Sequence, residues 1–289
     1  MKQYLFFLLC ISNTLLFGME PNTSEEEKNA RAAVEKIWFN ACTIDATNDG
    51  HTKQVYDVQF TPDGEFFISS SADQTIKIFD MTTMKCVHAW GKKYDGYDAA
   101  GGFLAISPDG KWFAASQFPF VGSAKSELPN ENIVELYDLV SREFVDSVAC
   151  DYGVYKMLFN KEGTHFSCMH GLDDTVFAVP AMKEDASVKI SWQGLDAYIA
   201  NSPDGRWKAH RDGNDIYIAK TENANIRLYD DYEYDSLTME YNFKESTVLD
   251  KNNGGHMDRV NSIQFSPNSR WLISSSYDNT IKLFKQPEV

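Results

Sequence analysis

Two stretches of the chain are nearly the same sentence, and this repetition constrains the fold more than any other feature. The first runs Gly50-His51, Val55 to Phe60, Thr61-Pro62-Asp63-Gly64, Phe67 to Ser71, Asp73 and Thr75 to Asp80. The second runs Gly255-His256, Val260 to Phe265, Ser266-Pro267-Asn268-Ser269, Leu272 to Ser276, Asp278 and Thr280 to Phe284. The offset is 205 residues at every landmark. Ungapped near-identity over about thirty residues means one structural unit used at least twice, so the intervening chain is read as worn copies of it.

Each copy reads strand, turn, strand, turn. Val55–Phe60 alternates as a strand does, and Thr61-Pro62-Asp63-Gly64 is a β-turn, because proline presets φ and glycine tolerates the left-handed position. Further strands are expected at Phe66–Ser70, Thr75–Phe79 and Lys85–Trp90. Four short antiparallel strands in roughly forty residues make one propeller blade. The turn recurs as Ser107-Pro108-Asp109-Gly110, Asn160-Lys161-Glu162-Gly163, Ser202-Pro203-Asp204-Gly205 and Ser266-Pro267-Asn268-Ser269. Five turns imply an all-β, five-bladed propeller of four-stranded antiparallel blades. The steps of 46, 53, 42 and 64 residues place insertions at 117–131 and 212–223. Both are assigned to connections between second and third strands, with Asn225–Asp230 as the third strand of the fourth blade. A sixth, irregular blade within 212–250 is the competing reading.

The last copy stops after its third strand, Thr280–Lys285. A blade without its fourth strand leaves a bare edge. The strand-forming run Ile37–Ile44 is expected to fill that place, giving a propeller over 37–289 closed by the two chain ends. The alternative, an independent N-terminal hairpin, is disfavoured because two isolated strands are marginally stable.

The glycine-histidine pair, the proline-aspartate-glycine turn and Ser-Ser-Ser-x-Asp-x-Thr-Ile-Lys resemble the WD-repeat β-propellers. The resemblance is strong in 50–90 and 255–285 and weaker in 101–211. It implies hydrogen-bonded structural triads of His51, Ser69 and Asp73, and of His256, Ser274 and Asp278. Where the family has a tryptophan that completes a tetrad, this chain has Phe79 and Phe284, so one bond of each tetrad is expected to be missing. The middle blades lack the glycine-histidine and are expected to rest on packing.

Composition narrows the function. A chain that is 43% hydrophobic and 13% aromatic buries a large core. Its formal charge of −15 argues against a nucleic-acid partner, since phosphate attracts basic surfaces. Residues 1–19 are different material: a basic start, a mostly apolar run of about fourteen residues over Tyr4–Phe17, then Gly18. That is shorter than the roughly twenty residues a spanning helix needs, and reads as a signal peptide rather than a retained anchor. Residues 20–36 read as a polar segment with a short helix at 25–36, started by the capping-box pair Ser24 and Glu27. The mature chain is thus expected to be exported, periplasmic or extracellular, without stable membrane insertion. Export permits disulfides, yet Cys42, Cys86, Cys150 and Cys168 sit in apolar runs, where unpaired cysteine packs as a small hydrophobe. Only Cys150–Cys168 is a pairing to check.

No phosphate loop, nucleophile elbow or metal-ligand motif is present, so no catalytic, cofactor or metal residue is assigned. His165 and His170 have poor ligand spacing. The run Asp230-Asp231-Tyr232-Glu233-Tyr234-Asp235 reads as a solvated acidic loop. Aligning first strands on their turns places Tyr56, Gly102, Tyr155, Ala197 and Asn261 at one position near the channel mouth, with Tyr277 in a turn on the same rim. Tyr56, Tyr155 and Tyr277, with Arg259 in the loop entering the last blade, form the candidate protein-binding rim. The leading functional reading is a non-catalytic scaffold that binds a protein. A hydrolase or lactonase at the channel mouth and a module of a Tol-like envelope complex are the alternatives.

Overall fold

The computed structural model describes residues 38–91, 100–118, 132–150, 153–154, 156–170, 173–191, 199–231, 236–243 and 247–286. The leader and the segment at 20–36 lie outside the described residues, and so does Ile37. The first strand is β1 (Phe39–Ile44).

Blade 1 follows as β2 (Val55–Phe60), β3 (Phe66–Ser71), β4 (Ile76–Asp80) and β5 (Cys86–Trp90). Blade 2 is β6 (Ala100–Ile106), β7 (Trp112–Phe118), β8 (Asn132–Asp138) and β9 (Glu143–Cys150). Blade 3 is β10 (Lys156–Phe159), β11 (His165–His170), β12 (Asp173–Ala178) and β13 (Lys183–Glu184). Blade 4 begins with β14 (Ile199–Asn201), β15 (Trp207–Asp212) and β16 (Asp215–Lys220). After a 3-10 turn at Thr221–Asn223, a separate hairpin intervenes, β17 (Ala224–Asp231) with β18 (Ser236–Phe243), before the blade's fourth strand, β19 (Thr247–Leu249). Blade 5 is β20 (Val260–Phe265), β21 (Trp271–Ser276) and β22 (Ile281–Lys285), completed by β1.

Five four-stranded sheets therefore answer the count of five turns. Closure also takes the expected form: β1 pairs antiparallel with β22, from Phe39 opposite Lys285 to Ile44 opposite Ile281, with an irregularity between Asn40 and Cys42. The same offset now explains itself further. Ile44 and Leu249 are equivalent, and both end a fourth strand. The turns after them match as well, since Gly50 N donates to Asp45 O at 2.7 Å and Gly255 N to Asp250 O at 2.6 Å.

The fourth blade departs from the sequence reading. Its third strand is Asp215–Lys220, joined to β15 by the two-residue turn Gly213-Asn214 with Gly213 at φ 55°. Asn225–Asp230 lies instead in the β17–β18 hairpin, paired with Ser236–Phe243 and with no strand of the blade. The reason is burial: Ile216 and Ile218 are fully packed on Ala209, Trp207 and Leu249, so the alternating run at 215–220 takes the core position. The insertion therefore sits between third and fourth strands, not between second and third. It leaves the blade beside the Ser202–Gly205 turn, where Thr221 N donates to Arg206 O and Thr221 Oγ1 to Gly205 O. That is the opposite rim from the one expected, and among the described residues of 212–250 no sixth blade forms. The insertion at 117–131 does separate second and third strands; 119–131 lie outside the described residues.

Apolar side chains interleave between adjacent blades. Val55, Val58, Phe60, Phe67 and Phe79 pack on Ile44, Ile273, Ile281 and Leu283 across the blade 5–blade 1 junction. Trp38 is the wedge between blades 4 and 5. It is 1% exposed and meets Trp207 and Phe265 edge-on, with centroids 5.7 and 5.6 Å away. Truncating a fully buried tryptophan leaves a cavity as well as losing transfer energy. Trp38→Ala should therefore lower unfolding stability by about 3–5 kcal/mol in urea titrations. Phe39→Ala, one residue on but 44% exposed, should cost under about 1 kcal/mol. Equal losses in the two variants would show that the wedge does not hold the closure.

Candidate functional site

Two buried polar networks hold the rim of blades 1 and 5. The sharp turn after β3 presents Asp73, and the loop before β2 presents His51. His51 Nδ1 lies 2.9 Å from Asp73 Oδ2, and His51 Nε2 lies 2.7 Å from Ser69 Oγ. In blade 5 the distances are 3.0 Å for His256–Asp278 and 2.6 Å for His256–Ser274. A carboxylate only accepts, so Nδ1 carries the proton and Nε2 accepts from the serine hydroxyl.

A fourth member was missed from the sequence. Thr75 Oγ1 donates to Asp73 Oδ1 at 2.6 Å and lies 3.1 Å from His51 Nδ1, and Thr280 repeats both contacts at the same distances. Each aspartate also accepts two backbone N–H bonds, from Thr52 and Thr75 in one blade and from Met257 and Thr280 in the other. The absent indole is replaced by packing, with Phe79 stacked on Phe67 at 4.9 Å. Lys77 and Lys282 were missed too. Lys77 Nζ donates to the carbonyls of Asp49 and Gly50, and Lys282 Nζ to those of Gly254 and Gly255, tying third strands to the entry loops. Both signals were visible in Thr-Ile-Lys, repeated at the constant offset.

The order Asp–His–Ser is that of a nucleophilic triad. Here Ser69 and Ser274 are 0% exposed, so both hydroxyls are closed off from solvent. Burial raises Asp73, but the bonds from His51, Thr75 and Thr52 outweigh it and hold the carboxyl far below the usual range. Asp278 behaves identically through His256, Thr280 and Met257. Burial lowers both histidines, which their aspartates oppose only in part.

The middle blades use other means. Ser116 Oγ accepts from Phe103 N, and Ser167 Oγ donates to Asp174 Oδ2 at 2.9 Å. Buried carboxylates also escaped the sequence reading, Asp57 and Glu135 among them. Asp57 accepts from Val58 N and, across the blade junction, from Leu104 N, both at 2.8 Å, and from the Ser262 hydroxyl of blade 5; burial pushes its carboxyl up. Its equivalent in the second copy is Ser262 itself, so the repeat gave no signal.

On the same rim, Tyr56 of blade 1 and Tyr277 of blade 5 meet edge-to-face, centroids 6.1 Å apart at 89°. Both are half-buried. Arg259 is exposed, and its carbonyl accepts Tyr277 N at 3.0 Å, fixing the turn that carries the ring. Met257, 67% exposed, stands in the same loop. Asn261 reaches across the junction to Val55 O at 2.8 Å. Gly102, at the equivalent position in blade 2, is buried and accepts Ser70 Oγ. Tyr155 and Ala197 lie outside the described residues.

Cys42, Cys86 and Cys168 are free thiols, and Cys150 lies beside Cys168 in one buried cluster between blades 2 and 3. His165 is occupied by Asp185 at 3.4 Å and Thr164 at 3.0 Å. No group of three or more metal-ligating side chains gathers among the described residues. Asp230 and Asp231 end β17, while 232–235 lie outside the described residues.

Five antiparallel blades, closed by an N-terminal strand and carrying paired Asp–His–Ser–Thr networks, define a repeat-built β-propeller. The WD40 family (WD domain, G-beta repeat) matches residues 43–80 and 247–285, the stretches that hold those networks. A WDR12 ribosome biogenesis protein homolog of Drosophila persimilis is 26% identical over 262 residues, covering 86% of this chain and 56% of the relative. A WD repeat-containing protein 55 homolog of Aedes aegypti is 37% identical over 62 residues, 22% of this chain and 13% of the relative. The chain thus spans about half or less of the length of these curated relatives. Among solved structures, the Cps50 (Swd1) β-propeller domain of Myceliophteria thermophila aligns with a TM-score of 0.50 at 11% identity, covering 86% of this chain and 99% of that one. The chain is a β-propeller that carries two WD-type repeats, at 43–80 and 247–285.

The networks carry a pH signature with a definite sign. A histidine lowered below 6.5 binds fewer protons folded than unfolded. Its contribution is complete above 6.5 and is lost as pH falls below it; the depressed aspartates add a second loss below 3.8 in the same direction. Urea stability should therefore decline between about pH 7 and 5, and His51→Gln with His256→Gln should flatten that decline. Asp73→Ala and Asp278→Ala should each cost about 1–3 kcal/mol, the usual result of orphaning buried donors. Unchanged midpoints in both alanine variants would reduce these aspartates to turn formers.

Proposed function

We propose that this chain is a non-catalytic scaffold that binds a protein partner on the rim bearing Tyr56, Tyr277 and Arg259. The observation that carries the reading is the edge-to-face tyrosine pair, built from the two blades at the ring closure and flanked by an exposed arginine and methionine. Tyrosine offers broad apolar area with a polar tip, and arginine a forked donor; both are enriched at binding hot spots. The pair needs a closed ring, so the site exists only in the folded chain. The reading includes export, with residues 1–19 removed, so that the partner is an envelope or extracellular protein.

Two measurements test this. Affinity purification from the native cell should recover a stable complex, and Tyr56→Ala with Tyr277→Ala should weaken it at least roughly tenfold, the scale of a hot-spot residue. Both side chains are half-buried, so the double variant should keep its fold by circular dichroism. Full-strength binding by that variant would move the site to another face. N-terminal sequencing of the native protein should begin near Met19 or Glu20; an intact Met1 would remove the export half alone.

A further inference from the structure

The opposite rim holds a cleft of about 440 Å³ between the turns that join first to second strands in blades 5 and 1, with the end of β4 as a third wall. Tyr56 stands at the start of β2, and the cleft lies past the end of that strand, around the Thr61–Gly64 turn. Gly64, at φ 71°, faces Pro267 of the neighbouring blade's turn, so the two turns meet at this edge. The lining mixes Phe66, Met81 and Trp271 with the polar Thr82, Ser266 and Asn268, and its polar surface outweighs its apolar surface. Asp80 and Glu65 add two carboxylates, and among the described residues the one cation placed against the lining is the chain's own Lys285, over the Trp271 ring.

The repeat makes this arrangement informative. Phe66 and Trp271 are equivalent, and so are Asp80 and Lys285, each directly across the ladder from its aromatic partner. In blade 5 the chain supplies its own cation, since Lys285 Nζ lies 5.5 Å from the centre of the Trp271 ring. In blade 1 the equivalent position is an anion instead. Asp80 Oδ1 is committed to the N–H groups of Thr82 and Thr83 and to the Thr83 hydroxyl. Those bonds, the Thr83 N–H first, keep the carboxyl ionised below its usual range. Asp80 Oδ2 takes no bond among the described residues.

We infer that this cleft is a second docking site, and that it takes the arginine or lysine side chain of an extended protein segment. The aliphatic stem packs on Phe66, Met81 and Trp271, while the cationic head meets Asp80 and Glu65. The volume falls within the range of ligand sites and leaves room for the flanking backbone. The overall charge of −15 favours the same cationic partner at long range.

The test titrates the full chain with acetyl-Gly-Arg-Gly-amide and its norleucine counterpart, following the indole N–H resonance of Trp271 assigned with Trp271→Phe. The arginine peptide should give a saturable shift and the norleucine peptide none. Asp80→Asn with Glu65→Gln should weaken binding at least roughly tenfold, as loss of paired charges does. Asparagine keeps the Oδ1 acceptor that holds the turn, so this variant should fold. Tyr56→Ala with Tyr277→Ala should bind the peptide normally, which separates this site from the rim of the proposed function. No saturable shift, equal shifts with both peptides, or unchanged affinity in the Asp80/Glu65 variant would overturn the assignment.

Discussion

The structure depends on one hydrogen-bonded ladder, that between β1 and β22. Blade 5 supplies only three strands of its own, and without β1 its outer edge would present unpaired N–H and C=O groups. Several other features gather at this seam. Asn40 Nδ2 bonds Gly254 O, the same carbonyl that Lys282 holds. A Cβ on Gly254 would approach Asn40 Cβ to 2.9 Å, so glycine is required where strand and loop cross. Trp38 then locks the strand's entrance against blade 4. The tyrosine pair of one rim and the carboxylate cleft of the other both straddle the blade 5–blade 1 junction. Closure and recognition share one location.

Much of this was legible because two blades are nearly uneroded copies. Turn chemistry counted the blades, and a missing fourth strand pointed to the N-terminal one. The reading failed where identity depends on a strand's partner rather than its residues. Ile226-Arg227-Leu228-Tyr229-Asp230 has the pattern of Ile76-Lys77-Ile78-Phe79-Asp80, yet it pairs in an accessory hairpin. Asp215–Lys220 lacks the Thr-Ile-Lys signature and nevertheless fills the blade, because it alone follows a two-residue turn that returns it to β15. The consequence was an insertion assigned to the wrong rim.

The networks show a different limit. His51, Ser69 and Asp73 were found through the family resemblance, which their recurrence at the same intervals supports, and so was the loss of the indole. Thr75 and Lys77 recur equally, but read as ordinary strand residues until the geometry showed what each touches. Asp57 could not be found this way, since its counterpart is the serine that bonds it. Repetition reveals what each blade needs internally. It is silent on groups that act between blades, where each side of a junction is different.

Closing the ring with Phe39 against Lys285 has a cost in time. These partners stand at nearly opposite ends of the chain, and contacts of such separation form late because the loop entropy must be overcome first. During synthesis β1 leaves the ribosome before any blade exists and has no partner until the last strand is made. Until β22 is made and docks, β1 has no neighbour and Trp38 is not held against blade 5, so the nascent chain carries an unpaired strand and an unburied indole side by side. Such edges invite pairing between chains. The two ends of one molecule must therefore find each other before they find those of a neighbour, a race that becomes harder as the chains grow more crowded.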